Sequence, residues 1–279
     1  MTWSPRSARS RARPPAGHDA TAGPVLGPGS ARPAARPAAR AGSHPLVTAA
    51  RIGVLCLDTS FTKPPGHIRN PATFSFPVTY RVVAGATPGR VVTDPDPALL
   101  GPFIDAAREL EAGGVAAITG ACGFLVAFQR ELAASVGIPL FTSSLLQVPL
   151  AARMLPAGKR VGVLAASAGA LTARHFEAAG AAGIPVHVAG MARYPEFREV
   201  ILEGRRDRLD LAALRAETLA EAGSLIARHP SIGALVLECT DLAPFSPALA
   251  AALGRPVFDI VTLTEWVHRG LAPRPYPAG

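Results

Sequence analysis

The sequence predicts an α/β protein made of two pseudosymmetric parallel-sheet β/α domains, with the active site in the cleft between them. Short apolar runs alternate with segments of helical spacing throughout residues 51–268. The run "RIGVLCLD" (51–58) returns as "RVGVLAAS" (160–167), and "VAAITGACGFL" (115–125) returns as "IGALVLECTDL" (232–242). Alternating patterning alone would not fix Gly and Cys at matching places, so these repeats indicate an internal duplication.

The first half reads as strands and helices in alternation. Apolar runs bounded by polar residues predict buried parallel strands, and apolar residues at helical spacing predict helices. On these rules we predict strands at 51–58, 115–119 and 138–142, and helices at 99–114 and 123–137. A further helix is predicted over 144–155, where Pro149 must lie in the first turn or kink it.

The second half repeats this plan in a frame that continues without a gap. "LAAALGRPVFD" (249–259) aligns with "LAASVGIPLFT" (132–142) in the same register that aligns Cys239 with Cys122. We therefore expect a first domain of residues 51–142 plus 257–279 and a second domain of residues 143–256.

The net charge of +8 lies almost entirely in an N-terminal tail. Residues 1–51 hold eight arginines and one acid, Asp19, so the rest of the chain is nearly neutral. Residues 1–48 are rich in Pro, Gly, Ala and Arg without apolar periodicity, which predicts a disordered tail, either dispensable or upstream of the true start. It resembles an organelle transit peptide only loosely, and no aromatic residues separate its arginines.

Composition also limits the partners and the compartment. We expect no nucleic-acid partner, and no membrane partner because no segment is long and apolar enough to span a bilayer. Three cysteines without close spacing form neither a disulfide framework nor a zinc site, which favours a cytoplasmic setting and no metal. The remaining expectation is a small-molecule substrate, with homodimerisation common among small α/β enzymes of this kind.

Cys122 and Cys239 are the candidate catalytic residues. Each follows a predicted strand and precedes a predicted helix, so both lie at the carboxyl edge of a sheet, where ligands bind in open α/β folds. Unpaired N–H groups at a helix start favour a thiolate and lower the pKa of a cysteine. A thiolate and a thiol facing one carbon atom would serve as base and acid and invert a stereocentre. Cys56, inside its strand, is expected to be a core residue.

Five further residues are candidate substrate contacts: Asp58, Thr59, Gly123, Phe124 and Thr240. Asp58 could bind a substrate amine or orient Cys122, or it could cap a turn. Thr240 could hold a carboxylate and cap the following helix at the same time. Backbone N–H groups near Gly123 would stabilise developing negative charge, and Phe124 would add an apolar surface.

The loop "PPGHIRNPATFSFPV" (64–78) is the segment expected to cover the cleft. It is long, rich in Pro and aromatic residues, and follows the first strand. His67, Arg69 and Asn70 in this loop could contact an anionic substrate, since functional residues concentrate in loops.

These residues together resemble the aspartate/glutamate/hydantoin racemase superfamily over about residues 51–268. The resemblance rests on Asp58-Thr59, on Cys122 after "AAITGA", and on Cys239-Thr240 after "ALVLE". It implies a two-domain pseudosymmetric fold, no pyridoxal phosphate or other cofactor, no metal, and proton transfer by two cysteines. The expected function is therefore a racemase or epimerase acting on a small carboxylate-type substrate such as an amino acid.

The residues around the cysteines depart from the pattern of glutamate racemases. The sequence has "C-G-F" at 122–124 and "C-T-D" at 239–241. The corresponding pattern of glutamate racemases is "C-N-T" at the first cysteine and "C-T-H" at the second. The departure keeps three alternatives open: a maleate-type cis–trans isomerase in which Cys122 adds to the double bond and Cys239 supplies a proton, a hydantoin racemase, and a ligand-binding protein that has lost turnover. Both cysteines are present, which argues against an arylmalonate decarboxylase.

Overall fold

Two four-stranded sheets form the framework of the chain. The computed structural model describes residues 50–273, so the predicted disorder of residues 1–48 lies outside the described residues. The strands are Ile52–Cys56 (β1), Val78–Val82 (β2), Ala117–Gly120 (β3), Leu140–Phe141 (β4), Arg160–Ala165 (β5), Val186–Gly190 (β6), Ile232–Leu237 (β7) and Val257–Phe258 (β8). The sheets have the orders β2-β1-β3-β4 and β6-β5-β7-β8, and every pairing is parallel.

Seven α-helices of the described part cover these sheets. They are Leu100–Ala112 (α1), Gln129–Ala134 (α2), Val148–Met154 (α3), Ala173–Ala178 (α4), Leu211–Arg228 (α5), Ser246–Leu253 (α6) and Ile260–Leu271 (α7). Shorter 3-10 segments lie at Pro71–Thr73, Pro97–Leu99, Gly123–Phe128, Ser144–Gln147 and Thr240–Phe245, and π segments at Gly89–Thr93 and Phe197–Leu202. None of the helices in residues 50–273 is both long and apolar enough to cross a membrane.

The identical strand order of the two sheets confirms the predicted α/β fold of two matching halves. β1 is buried at all five positions, which is typical of a parallel strand covered on both faces. Pro149 lies in the first turn of α3, where its missing N–H costs no hydrogen bond. Both cysteine loops begin as 3-10 segments and become α-helical only later, at α2 and α6.

The last helix packs on the first sheet, although the strand before it pairs in the second. Ile260 and Leu263 of α7 share an apolar cluster with Ile52 and Val54 of β1, whereas β8 pairs with β7. The chain crosses between the halves at Asp259, whose carboxylate accepts the Thr262 N–H and caps α7. The predicted first domain starts again at residue 257, but the two residues of β8 pair with the second sheet, so the crossing point lies two residues later. The division into domains itself stays a prediction.

Candidate active site

A cavity lies where the carboxyl ends of the two sheets meet. It measures about 460 Å³, its solvent-filled mouth included. The residues that follow four different strands line it: Leu57 after β1, Cys122 after β3, Ala166 after β5 and Cys239 after β7. The loop expected to cover the cleft contributes His67 and Arg69 to the same wall. The parallel topology therefore brings both cysteines to one cavity, as the duplicated sequence predicts.

Both thiols are buried, and their protonation differs from the prediction. Cys122 and Cys239 are 9% and 6% exposed, and each is the N-cap of a 3-10 segment. Burial raises the pKa of both, and the carboxyl groups of Glu238 and Asp241 raise it further. Backbone N–H groups lower it by less than burial raises it, so the expectation of a lowered pKa is wrong. The resting cysteines are thiols.

Asp241 connects one of these thiols to a buried histidine. The Cys239 thiol donates to Oδ2 of Asp241 at 3.6 Å, and Nε2 of His67 lies 3.0 Å from Oδ1. The Arg69 backbone N–H donates to Nδ1 of His67 at 2.9 Å, so the ring proton is on Nε2 and is donated to Asp241. Burial lowers the pKa of His67, which keeps the ring neutral. Asp241 thus accepts one hydrogen bond from Cys239 and one from His67.

The pKa of Asp241 itself lies below its ordinary value. Burial would raise it, but the hydrogen bond from His67 and the charge of Lys63 outweigh burial. Asp241 is therefore an ionised carboxylate inside the cavity, adjacent to the Cys239 thiol.

Two basic side chains also line the cavity: Lys63, just before the covering loop, and Arg69 within it. Nζ of Lys63 lies 2.7 Å from the centroid of the Phe61 ring, and no hydrogen-bond partner for it exists among residues 50–273. Burial lowers the pKa of Lys63 to about 7, against the opposing charge of Asp241. The Arg69 guanidinium donates to the Leu57 carbonyl at 3.0 Å and to Oγ1 of Thr59 at 2.7 Å, which fixes it at the wall. This pair provides positive charge for an anionic ligand group.

Glu238 is a buried carboxyl group between the two cysteine loops. It is 1% exposed, and Oε2 accepts the Ala166 N–H at 3.0 Å. Oε1 has no hydrogen-bond partner in the described part of the chain. Burial raises the pKa of Glu238 to about 8, so the group is mostly protonated at neutral pH.

Glu238 also explains the glycine that follows Cys122. A Cβ on residue 123 would overlap the Glu238 backbone carbonyl and its carboxyl group. The space that a side chain at 123 would use is filled from the other half of the molecule. The departure from "C-N-T" thus matches the close approach of residue 238, through its backbone as well as its carboxyl group.

The remaining predicted contacts divide into two sets. Thr59, Gly123, Phe124 and Thr240 line the cavity. The Thr240 hydroxyl donates to the Ala121 carbonyl at 2.9 Å, which ties the two cysteine loops together. The Phe124 ring packs edge-on against His175, with 5.0 Å between ring centroids.

Asp58 and Asn70 lie outside this cavity. Asp58 is exposed, and its carboxylate accepts the Gly85 N–H at 2.9 Å, the turn-capping role weighed against substrate binding. It lines a wider adjoining cavity of about 1540 Å³, open solvent included. The Asn70 side chain caps the 3-10 segment Pro71–Thr73 and donates to the Lys63 carbonyl at 2.7 Å. Asn70 therefore supports the covering loop.

Three charged residues of the cavity were not predicted from the sequence: Lys63, Glu238 and Asp241. Two signals could have found them. Only two of the 28 basic residues are lysines, so a lysine beside the candidate loop is unusual in this chain. Acidic residues on both sides of Cys239 are also unusual for a position at the end of a buried strand.

Comparison with known proteins places the chain in a family. Residues 80–266 match the model of the Asp/Glu/hydantoin racemase family. Dimethylsulfoniopropionate lyase of Durusdinium sp. clade D is 30% identical over 264 residues, covering 91% of this chain and 86% of that protein. Dimethylsulfoniopropionate lyase 7 of Emiliania huxleyi (strain CCMP1516) is 32% identical over 220 residues, covering 76% of this chain and 64% of that protein.

These relatives overturn the expected function. The cysteine pair predicted a racemase or epimerase, with an isomerase, a hydantoin racemase or a lapsed binding protein as alternatives, whereas the similar curated proteins are lyases. A thiol that removes a proton serves racemisation and elimination alike, so the residue pattern alone could not separate the two.

A solved structure agrees with the fold. The allantoin racemase from Klebsiella pneumoniae superposes with a TM-score of 0.57 at 18% identity, covering 83% of this chain and 97% of that chain. Similarity at this level supports the architecture alone. With the match over residues 80–266, the chain belongs to the Asp/Glu/hydantoin racemase family of enzymes.

Proposed function

We propose that this protein is a lyase that cleaves the C–S bond of dimethylsulfoniopropionate. A base removes a proton from the carbon beside the carboxylate. The electrons of that C–H bond form the C=C bond of acrylate, and the C–S electron pair leaves with sulfur as neutral dimethyl sulfide. The proton stays on the enzyme until it is released to solvent.

The observation that carries this proposal is the set of charges around the two thiols. The substrate is a zwitterion, with a carboxylate at one end and a sulfonium cation at the other. The cavity holds the basic pair Lys63 and Arg69 and the ionised carboxylate Asp241. Similarity to named lyases over 91% of the chain supports the reaction class. The basic pair would bind the carboxylate and stabilise the negative charge that develops as the proton leaves.

Elimination requires one base, because dimethyl sulfide departs without needing a proton. Cys239 fits that role better than Cys122, since its thiol already donates to an ionised carboxylate. The Cys239 thiol passes its proton through Asp241 to solvent before the chemical step, so Asp241 is ionised again and the thiolate takes the substrate proton. His67 donates to the other oxygen of Asp241 and holds it in place, acting as a positioning residue.

The test measures dimethyl sulfide by headspace gas chromatography and acrylate by liquid chromatography, using the purified full chain. We expect both products in equal amounts from the wild type. Cys239→Ser should lower kcat by about a hundredfold to ten-thousandfold, the range for loss of a general base. Cys122→Ser should lower it less. Cys56→Ala is the matched control, because Cys56 is a buried thiol outside the cavity wall.

Two results would contradict the proposal in different ways. A folded wild type that releases no dimethyl sulfide would rule out the reaction. Loss of activity in Cys122→Ser with activity kept in Cys239→Ser would move the base to Cys122 and refute the role of Asp241.

A further inference from the structure

Glu238 has a position in the cavity that the proposed reaction does not use. It precedes Cys239, and its carboxyl group packs against Gly123 in the loop of the other cysteine. Glu238 lines the cavity. Its Oε2 accepts the Ala166 N–H, whereas Oε1 lies against Gly123 without a hydrogen-bond partner in residues 50–273. Burying a carboxyl oxygen without a hydrogen-bond partner, on a residue that is 1% exposed, costs free energy. A bound ligand that interacts with this carboxyl group would offset that cost.

The groups that face Glu238 indicate which kind of ligand this is. Asp241 and the thiols of Cys122 and Cys239 interact electrostatically with Glu238. The two basic side chains of the cavity, Lys63 and Arg69, do not contribute to the pKa of Glu238. Lys63 acts instead on Asp241 and His67, and Arg69 acts on His67. A zwitterion whose carboxylate binds the basic pair would therefore direct its cationic end toward Glu238.

We propose that Glu238, with Asp241 and the Phe124 ring, forms the subsite for the cationic end of the substrate, and that Glu238 loses its proton when a permanent cation binds there. This inference rests on the proposed function for the identity of the zwitterion. An aromatic face and a carboxylate together are the chemistry that recognises sulfonium and quaternary ammonium groups. Phe124 replaces the polar residue of the glutamate-racemase pattern at this place.

The physical basis is the cost of a buried charge. No positively charged side chain of the described residues acts on Glu238, and burial raises its pKa to about 8. A sulfonium cannot lose its charge by releasing a proton. Its arrival provides the missing partner, and ionised Glu238 becomes the favoured form. Binding of a cation at neutral pH should then release a proton to the buffer.

Two inert ligands of the same shape isolate this effect. 3-(Trimethylammonio)propanoate has the cation and has no sulfide to lose, whereas 4,4-dimethylpentanoate replaces the nitrogen by carbon and is uncharged at that end. Both carry the carboxylate, so any proton taken up by Lys63 is common to both. Isothermal titration calorimetry at pH 7 in phosphate and in Tris gives the protons exchanged from the dependence of the binding enthalpy on the buffer.

The wild type should release about one proton more with the ammonium ligand than with its carbon analogue. Glu238→Gln should abolish that difference and weaken the ammonium ligand at least about tenfold, with the affinity for the carbon analogue unchanged. Glu221→Gln, a buried carboxyl on α5 paired with arginines, is the control and should behave as wild type.

Several outcomes would overturn the inference. Equal weakening of both ligands in Glu238→Gln would mean a purely structural residue, and binding enthalpies independent of the buffer would mean that Glu238 does not titrate. The dimethyl sulfide assay is read separately. Cation-linked proton release without dimethyl sulfide production would support the cation subsite and contradict the lyase activity. Dimethyl sulfide production without cation-linked proton release would support the lyase activity and contradict the subsite.

Discussion

Replacing Glu238 by Gln should change how the stability of the protein, measured without added ligand, depends on pH. Glutamine has nearly the same shape and can accept the Ala166 N–H, but it does not titrate. Burial raises the pKa of Glu238 from 4.5 to about 8, so the folded protein holds a proton there that the unfolded chain releases. The free energy of unfolding of the wild type should therefore fall as pH rises from about 4.5 to about 8. Outside that window this group adds no slope.

The size of the effect follows from the same pKa values. Each tenfold change in proton affinity is worth about 1.4 kcal/mol, so the full window corresponds to at most about 5 kcal/mol. The free energy of unfolding of Glu238→Gln should not show this fall with rising pH, because glutamine does not titrate. The variant should gain stability relative to the wild type between pH 5 and pH 8, and most of the gain should be present by pH 8.

Urea unfolding followed by circular dichroism at pH 5, 6, 7 and 8 measures this difference. Equal m values in the two proteins would verify that the unfolded states are comparable. Glu221→Gln serves again as the control. The Glu221 carboxylate is paired with Arg193, so this variant should be less stable than the wild type by a similar amount at every pH tested. Parallel curves for wild type and Glu238→Gln would refute the reasoning, since they would mean that Glu238 is ionised at no cost in the folded state.

Two further variants test the cavity wall. Lys63→Met removes a buried ammonium group that has no hydrogen-bond partner among the described residues, so the variant should keep the fold. If Lys63 binds the substrate carboxylate, KM for dimethylsulfoniopropionate should rise by roughly tenfold to a hundredfold, which corresponds to the loss of one charge-assisted hydrogen bond. An unchanged KM would show that Lys63 does not bind the carboxylate. Gly123→Ala places a Cβ inside Glu238 and should cost about 1–3 kcal/mol of stability in urea unfolding. Gly223→Ala on α5, where a Cβ meets no atom within 4 Å, should stabilise by about 0.5–1 kcal/mol, and similar shifts in the two would contradict the packing argument.

The lyase relatives and the cavity place different limits on the reaction. The family match agrees with the architecture, and the structure places one cysteine after a strand of each sheet. Racemisation would use both cysteines symmetrically, but their surroundings are not symmetric. Cys239 is flanked by Glu238 and Asp241, whereas the loop of Cys122 offers Gly123 and Phe124. An asymmetric pair is suited to a reaction that needs one base and one binding wall.

The sequence by itself determined the framework. Repeats at 51–58 and 115–125 predicted two matching parallel sheets, because strand register and chain direction decide which residues reach the carboxyl edge. That argument placed Cys122 and Cys239 in one cavity, and the covering loop was expected to bring His67 and Arg69 there. Each of these follows from local pattern.

Only the tertiary structure decided the electrostatics of the site. Lys63, Glu238 and Asp241 belong to it because the segment before the covering loop and the second half of the chain meet the first sheet at one cavity, and no local pattern encodes that contact. Asp58 leaves it because its carboxylate meets the Gly85 N–H. The cysteine pKa values rise because burial outweighs the backbone N–H groups, and burial depends on atoms distant in sequence. Position along a strand is a local property, whereas solvation is a property of the assembled fold.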